Sequence, residues 1–260
     1  MDIYELIAEK RKAGQPFILA TIVRTAGASP RAPGAKMLVY PDGSISGTIG
    51  GGTFEKLVID DSLSLLQSGD CHLLKTYRFS PTGKDATGMC CGGEAEVFME
   101  ANAKPKRLII FGGGHICRDL VRLALGSDFL ITVVDDRPEI LSWYSQPVRV
   151  VQTDSNYCEN FPSLDSDCFV VIVTRSHKYD QPVLARVVKE NCAYIGMIGS
   201  RAKVAKVFSS LEKAGVDRKL LERVHAPIGL DIKGEGPYEI AVSILAELIA
   251  VKNGVVPKKT

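Results

Sequence analysis

The chain opens on a helical rhythm. Ile3, Leu6 and Ile7, with Tyr4 beside them, recur one helical turn apart until Gly14 and Pro16 stop the pattern, which predicts a short amphipathic helix. The rhythm then changes to that of strands. Residues 17–23 are rich in β-branched side chains, 36–40 form a second apolar run, and Pro41-Asp42-Gly43 ahead of 44–47 reads as a hairpin turn. Apolar positions at Leu57, Val58, Leu63, Leu65 and Leu66 predict a helix over 54–67, closed by Ser68-Gly69, and two further strands are expected at 72–79 and 94–100. Residues 1–103 therefore read as a small α+β domain with long glycine-bearing loops.

Ala103-Lys104-Pro105-Lys106 is polar, contains a proline and has the character of a linker. Beyond it strand and helix alternate. Short apolar runs at 107–111, 130–134, 148–151, 168–173 and 194–198 predict strands, and helical spacing appears at 115–125, 182–190, 202–214 and 237–252. Strands separated by helices imply right-handed βαβ crossovers and a parallel sheet covered on both faces. The expected fold class is α/β: a C-terminal Rossmann-type doubly wound parallel sheet over 107–260 with the smaller N-terminal α+β domain before it.

Composition narrows the partners. With 32 Lys and Arg against 30 Asp and Glu in 260 residues, there is no basic stripe or acidic tail to make nucleic acid or an anionic membrane the main partner. No apolar run approaches the ~18 residues that would span a bilayer. The start carries Asp2, Glu5 and Glu9 where a signal peptide would be basic. A cytoplasmic protein is expected, and the seven scattered cysteines, lacking CxxC pairs, read as reduced thiols.

Five constellations could carry chemistry. Phe111-Gly112-Gly113-Gly114-His115-Ile116-Cys117 joins a strand to a helix: Gly112 suits the tight turn, Gly114 would let a pyrophosphate approach, and Asp135 at the end of the next strand could accept a ribose hydroxyl. Cys117 replaces the third glycine of that fingerprint. NAD(P) or another nucleotide is the ligand such a loop implies, and a purely structural loop is the alternative. Gly199-Ser200-Arg201 forms a second strand-to-helix junction, with Ser200 as N-cap and joint ligand binding with the first loop as the functional reading. Gly50-Gly51-Gly52, with Ser29, Arg31 and Lys36 in a nearby loop, could form an anion nest or plain turns. The vicinal pair Cys90-Cys91 before Gly92-Gly93 could hold a soft metal or be two small buried residues. His177 and Asp180 could be an acid-base pair, or Asp180 could cap the following helix.

Taken in order, SPRAPGAKMLV, GTIGGGTFE, CCGGEAEVF, the GGGH loop with VVDDRPE, TRSHKYD, YIGMIGSRAKV and APIGLDIKGEGPYEIAVSILAEL resemble the xanthine dehydrogenase accessory factors of the XdhC/CoxI family over nearly the whole chain. The resemblance implies a maturation chaperone rather than an enzyme. Such a protein binds molybdenum cofactor (molybdopterin carrying a dithiolene-held metal), keeps it while an oxo ligand is exchanged for sulfido, and hands it to an apo molybdenum hydroxylase. It also implies a cysteine desulfurase as second partner; a homodimer is the expected assembly. By this resemblance Ser29, Arg31, Gly50, Gly51, Gly52, Cys91, His115 and Arg201 become cofactor contacts, with Cys91 the metal ligand. Arg175 stands where relatives have histidine, so no two-histidine role carries over to that loop. The alternatives are an NAD(P)-dependent oxidoreductase and a scaffold that bridges desulfurase and hydroxylase without holding cofactor.

Overall fold

The computed structural model describes residues 2–68, 70–80, 92–102 and 104–255. It divides into two compact units, Met1–Lys104 and Pro105–Thr260.

The first unit contains α1 (Ile3–Lys12), β1 (Phe17–Ala26), β2 (Lys36–Val39), β3 (Ile45–Gly47), α2 (Gly52–Ser68), β4 (His72–Arg78) and β5 (Glu94–Asn102). Its strands pair antiparallel in the order β3-β2-β1-β5-β4. Because successive strand residues face opposite ways, Ile18, Ala20 and Ile22 all point into one core, where they meet Met37, Val39, Val97 and Met99. The lid of that core is the stripe Phe54, Val58 and Leu65 of α2, and Phe54 packs edge-on against Tyr77 and Phe79 at 5.5 and 5.1 Å. Burial of each such side chain contributes about 1.5–3 kcal/mol. Strand β1 runs to Ala26, beyond the predicted end at 23, because its pairing with β5 slips between Ile22 and Arg24. The extra residue, Val23, is left exposed, so the alternation that marks a strand in sequence breaks although the ladder continues.

The second unit contains β6 (Arg107–Phe111), α3 (His115–Ala124), β7 (Leu130–Asp135), α4 (Pro138–Leu141), β8 (Arg149–Gln152), β9 (Cys168–Ile172), α5 (His177–Val187), β10 (Tyr194–Met197), α6 (Arg201–Lys213), α7 (Arg218–Glu222) and α8 (Pro237–Lys252). The five strands are parallel in the order β10-β9-β6-β7-β8, so the chain reverses direction across the sheet between β6 and β9. Leu108 and Ile110 of β6 face a core shared with α3 and α8, while Ile109 and Phe111 face a core shared with α5 and α6. This two-sided burial is why the strands read as continuous apolar runs. Helix α5 begins at His177, five residues before the predicted start at 182, with Ser176 at its N-cap and Pro182 inside it. Val183, Leu184 and Val187 hold the helix on the sheet around the proline. Among the described residues no helix is long and apolar enough to cross a membrane.

Candidate functional site

In an open parallel sheet, ligands favour the crevice at the carboxyl ends of the strands where the order reverses. Here that place is the junction of β6 and β9. Gly112 leaves β6 with φ of 103°, and a Cβ on it would collide with the Val173 carbonyl oxygen and approach Thr174 Cα to 2.7 Å. Only glycine fits that contact. An added Cβ at Gly114, in contrast, meets nothing within 4 Å. Gly114 is also the N-cap of α3 and offers no side chain to the first N–H groups of the helix, so that end remains suited to an anion. His115 is exposed beside Trp143, and Arg118 lies over the same indole with its Nε buried and without a hydrogen-bond partner. Cys117 lies wholly inside the core, and burial pushes its thiol up to about 12; it acts as a small packing residue.

Asp135 does not present itself to a ligand. It is fully buried; Oδ1 accepts from Arg137 N and Nε at 3.0 and 2.9 Å, and Oδ2 from Gly113 N and Arg137 Nη2 at 2.7 and 3.0 Å. Burial pushes its carboxyl up, but these donors, led by Arg137, outweigh it and hold the group below the ordinary carboxylate value. Every acceptor position is taken because Arg137, two residues on, folds back over the acid. The geometry therefore offers no acceptor for a ribose hydroxyl at this position.

Along the same edge, Asp180 is buried and accepts from Thr174 N and Oγ1 at 3.2 and 2.6 Å, so it ties the loop after β9 while Ser176 occupies the N-cap. Burial pushes the Asp180 carboxyl up. His177 Nδ1 lies 3.2 Å from Asp180 Oδ2 but makes no hydrogen bond. Arg175 grips Asp136 through two contacts at 2.8 and 3.2 Å and lies over the Tyr179 ring. The His177 ring comes within 3.8 Å of a Cβ placed on Gly199, which joins this loop to the next junction. There Ser200 caps α6, its Oγ accepting from Lys203 N at 3.4 Å.

At Ser200 and Arg201, both candidates from the sequence, opens a pocket of about 720 Å³ whose other lining residues include His225 and Glu247, which the sequence reading did not single out. Its floor is a buried polar group. Glu247, on the buried face of α8, accepts from Tyr194 Oη at 2.5 Å and from Gly229 N at 2.7 Å through Oε2, and Oε1 lies 2.9 Å from His225 Nδ1. Burial pushes Glu247 up, yet the donors, led by His225, hold it below its ordinary value, and the same carboxylate and burial push the Tyr194 phenol well up. The signal was present in sequence as a lone acid at the centre of AVSILAELIAV.

In the first unit the structure brings three motifs together. A Cβ on Gly50 would lie 2.5 Å from Pro30 Cβ, so the triple-glycine loop touches the loop that holds Ser29 and Arg31. A Cβ on Gly27 would lie 3.0 Å from Gly93 Cα, so that loop also touches the turn after Cys91. Cys91 itself, with Cys90, lies outside the described residues. Arg31 is exposed and forms no ion pair among them, while Ser29 Oγ donates to the Arg31 carbonyl at 2.9 Å. Added Cβ atoms on Gly51, Gly52 and Gly92 would meet nothing within 4 Å among the described residues. The nest of amides is already filled from inside: Glu55 Oε2 accepts from Thr48 Oγ1, Ile49 N and Gly51 N at 2.7, 3.1 and 3.1 Å. Although burial pushes Glu55 up, these donors lower it overall. Among the described residues no cluster of His, Cys, Asp and Glu could hold a metal ion.

Comparison with known proteins places these geometries in context. Residues 108–248 match the XdhC Rossmann domain, and residues 10–78 match the XdhC and CoxI family. The uncharacterized protein YqeB of Escherichia coli K12 is 37% identical over 259 residues, covering 97% of this chain and 47% of its own, so the chain spans about half the length of that relative. The molybdenum cofactor insertion chaperone PaoD of the same organism is 22% identical, over 96% of this chain and 88% of its own. A solved structure described as a xanthine dehydrogenase from Bacillus halodurans superposes with a TM-score of 0.53 at 23% identity, covering 98% of this chain and 96% of that one, which is a likeness of fold.

Proposed function

The chain belongs to the XdhC and CoxI family, and from that membership we propose that it binds molybdenum cofactor, supports its sulfuration and delivers it to a xanthine dehydrogenase-type apo hydroxylase. The observation that carries the reading is the likeness to a molybdenum cofactor insertion chaperone over 96% of the chain. The cofactor is cargo here, and the residues suit it. Arg31 and the open faces of Gly51 and Gly52 suit an anionic group in the first unit; Gly114, His115 and the α3 N-terminus do so in the second. Cys91 is assigned as the soft metal ligand, Ser200 and Arg201 as contacts at the second junction, and a cysteine desulfurase as the sulfur-delivering partner. A cytoplasmic homodimer completes the proposal. A nicotinamide nucleotide has less support, because Asp135, the acid that ends β7, is wholly occupied by Arg137 and Gly113.

The test is mass spectrometry of the small molecule released from protein purified from a host that makes the cofactor, together with activation of an apo hydroxylase by the loaded protein. A pterin and restored activity are expected. Release of a nicotinamide nucleotide, or of nothing while activation fails, overturns the reading. Cys91→Ser should lower the bound cofactor without lowering Tm, with Cys90→Ser as control.

A further inference from the structure

We propose that the outer face of α8 is where two copies of this chain meet, packed antiparallel about a two-fold axis beside Leu245 and Ala246. This names a surface for the homodimer in the proposed function and rests on that part of it alone. Helices α6 and α8 turn opposite kinds of side chain outward. On α6 the exposed positions are those of a surface helix, Lys203, Lys206 and Lys213 among them, and Val204, Val207 and Leu211 are buried. Helix α8 is arranged the other way round. Between Glu239 and Lys252 its only polar side chains are Ser243 and Glu247, and both are buried. Every residue of that span left outside the core is apolar. Tyr238, Val242 and Ile249 are 57, 37 and 40% exposed, with Leu245 and Ala246 half-buried between them. A helix that is apolar on its outer side as well as its inner one is a helix that something covers.

The pattern of the stripe points to a second copy. Tyr238, Val242, Leu245 and Ile249 follow one another at four, three and four residues, the period of a seam between two helices. The stripe itself carries no charge, so covering it strands no ion. Charge sits at its two ends with opposite sign: Glu239 in the first turn of α8 and Lys252 in the last. An antiparallel copy brings each acidic end to a basic one and opposes the helix dipoles, whereas a parallel copy joins like ends. Glu239 already accepts from Glu235 N at 3.0 Å and Lys252 lies 3.2 Å from Asp128, so the ends orient the pair and the apolar side chains hold it. With the axis between Leu245 and Ala246, Val242 faces Ile249 of the second copy and Leu245 faces its own counterpart, the self-matching that a two-fold contact requires. The small Ala246 lets the two helices approach closely. The 16 residues of α8 give a face about 24 Å long, at the low end of specific interfaces, so the dimer should dissociate on dilution.

The experiment is sedimentation velocity of the full chain over about 1 to 200 µM, where the wild type should pass from monomer to dimer. Val242→Glu and Ile249→Lys, both at exposed positions, should each weaken the dimer about tenfold or more, because each sets a charge against an apolar side chain. Their Tm, measured at the monomeric end of the range, should equal that of the wild type. Mixing the two variants tests the register. In the antiparallel pair the acid introduced in one chain faces the base introduced in the other, so the mixture should form a heterodimer tighter than either variant alone. A dimer that survives both substitutions overturns the α8 surface and leaves the homodimer. A wild type that stays monomeric throughout overturns both. Loss of the dimer in the single variants without recovery in the mixture overturns the antiparallel pairing. The cargo reading fails separately: variants made monomeric that still release a pterin keep it, and a dimer that never carries cofactor removes it.

Discussion

The two triple-glycine loops look alike in sequence and differ in what they leave open. Around Gly50-Gly51-Gly52 the amides of Ile49 and Gly51 converge on Glu55, from the helix that follows, while Gly50 N donates to Thr48 Oγ1, so the nest already holds an anion. In Gly112-Gly113-Gly114 the acid comes from the neighbouring strand and takes only the middle amide; the side of Gly114 that faces outward is clear. A glycine string therefore reports that the backbone can approach an anion, and the position of the nearest acid decides whether that anion is part of the protein.

The largest effect that would break this comparison is at Asp135. Asp135→Ala leaves Arg137 only its longer contact to Asp136, at 3.8 Å, and Gly113 N without an acceptor, and should cost about 3–5 kcal/mol, read by denaturant unfolding. A loss below about 1 kcal/mol would mean that the acid does not organise the loop. Gly112→Ala comes next, at about 2–4 kcal/mol, from the collision with the Val173 carbonyl and the unfavourable φ. Glu55→Ala should cost about 1–3 kcal/mol in buffer without multivalent anions and regain part of it when phosphate is added. Equal phosphate dependence in the wild type would show that the nest is open after all.

The pH dependence sharpens the comparison further. Glu55 and Asp135 are both held below their ordinary values of 4.5 and 3.8 in the folded state. The unfolded chain thus takes up protons first, so the stability they give is present above those values and lost as pH falls below them. Asp135→Asn and Glu55→Gln should each flatten the acid side of a Tm against pH curve. The smallest effect on stability is expected of Gly114→Ala, within about 0.5 kcal/mol, because the new methyl meets nothing. Any loss of bound anion in that variant would then belong to the ligand.

Much of the fold was legible because burial leaves a period in sequence. Ile18, Ala20 and Ile22 alternate, and β6, buried on both faces, does not. The start of α5 lies before the expected one because its first turn, His177 to Tyr179, buries no apolar side chain and so adds nothing to the period that Val183, Leu184 and Val187 make. The site was legible in its glycines and less so in its acids. Whether Asp135 faces a ligand depends on the side-chain path of Arg137, and the His225–Glu247 pair joins residues from a loop and a helix that no local spacing connects. Pro30 against Gly50 is a contact of the same kind, made by tertiary folding alone.

Helix α8 carries Glu247 beneath the pocket and, through Ala241, Ile244 and Leu248, shares a core with α3, whose first turn is the open end of the Gly112 loop. A well-packed interior transmits displacement because it has little room to absorb it. The helix is thus a rigid strut between the floor of the pocket and the base of the glycine turn: a shift that moves the Glu247 carboxylate also presses on the packing beneath Gly114.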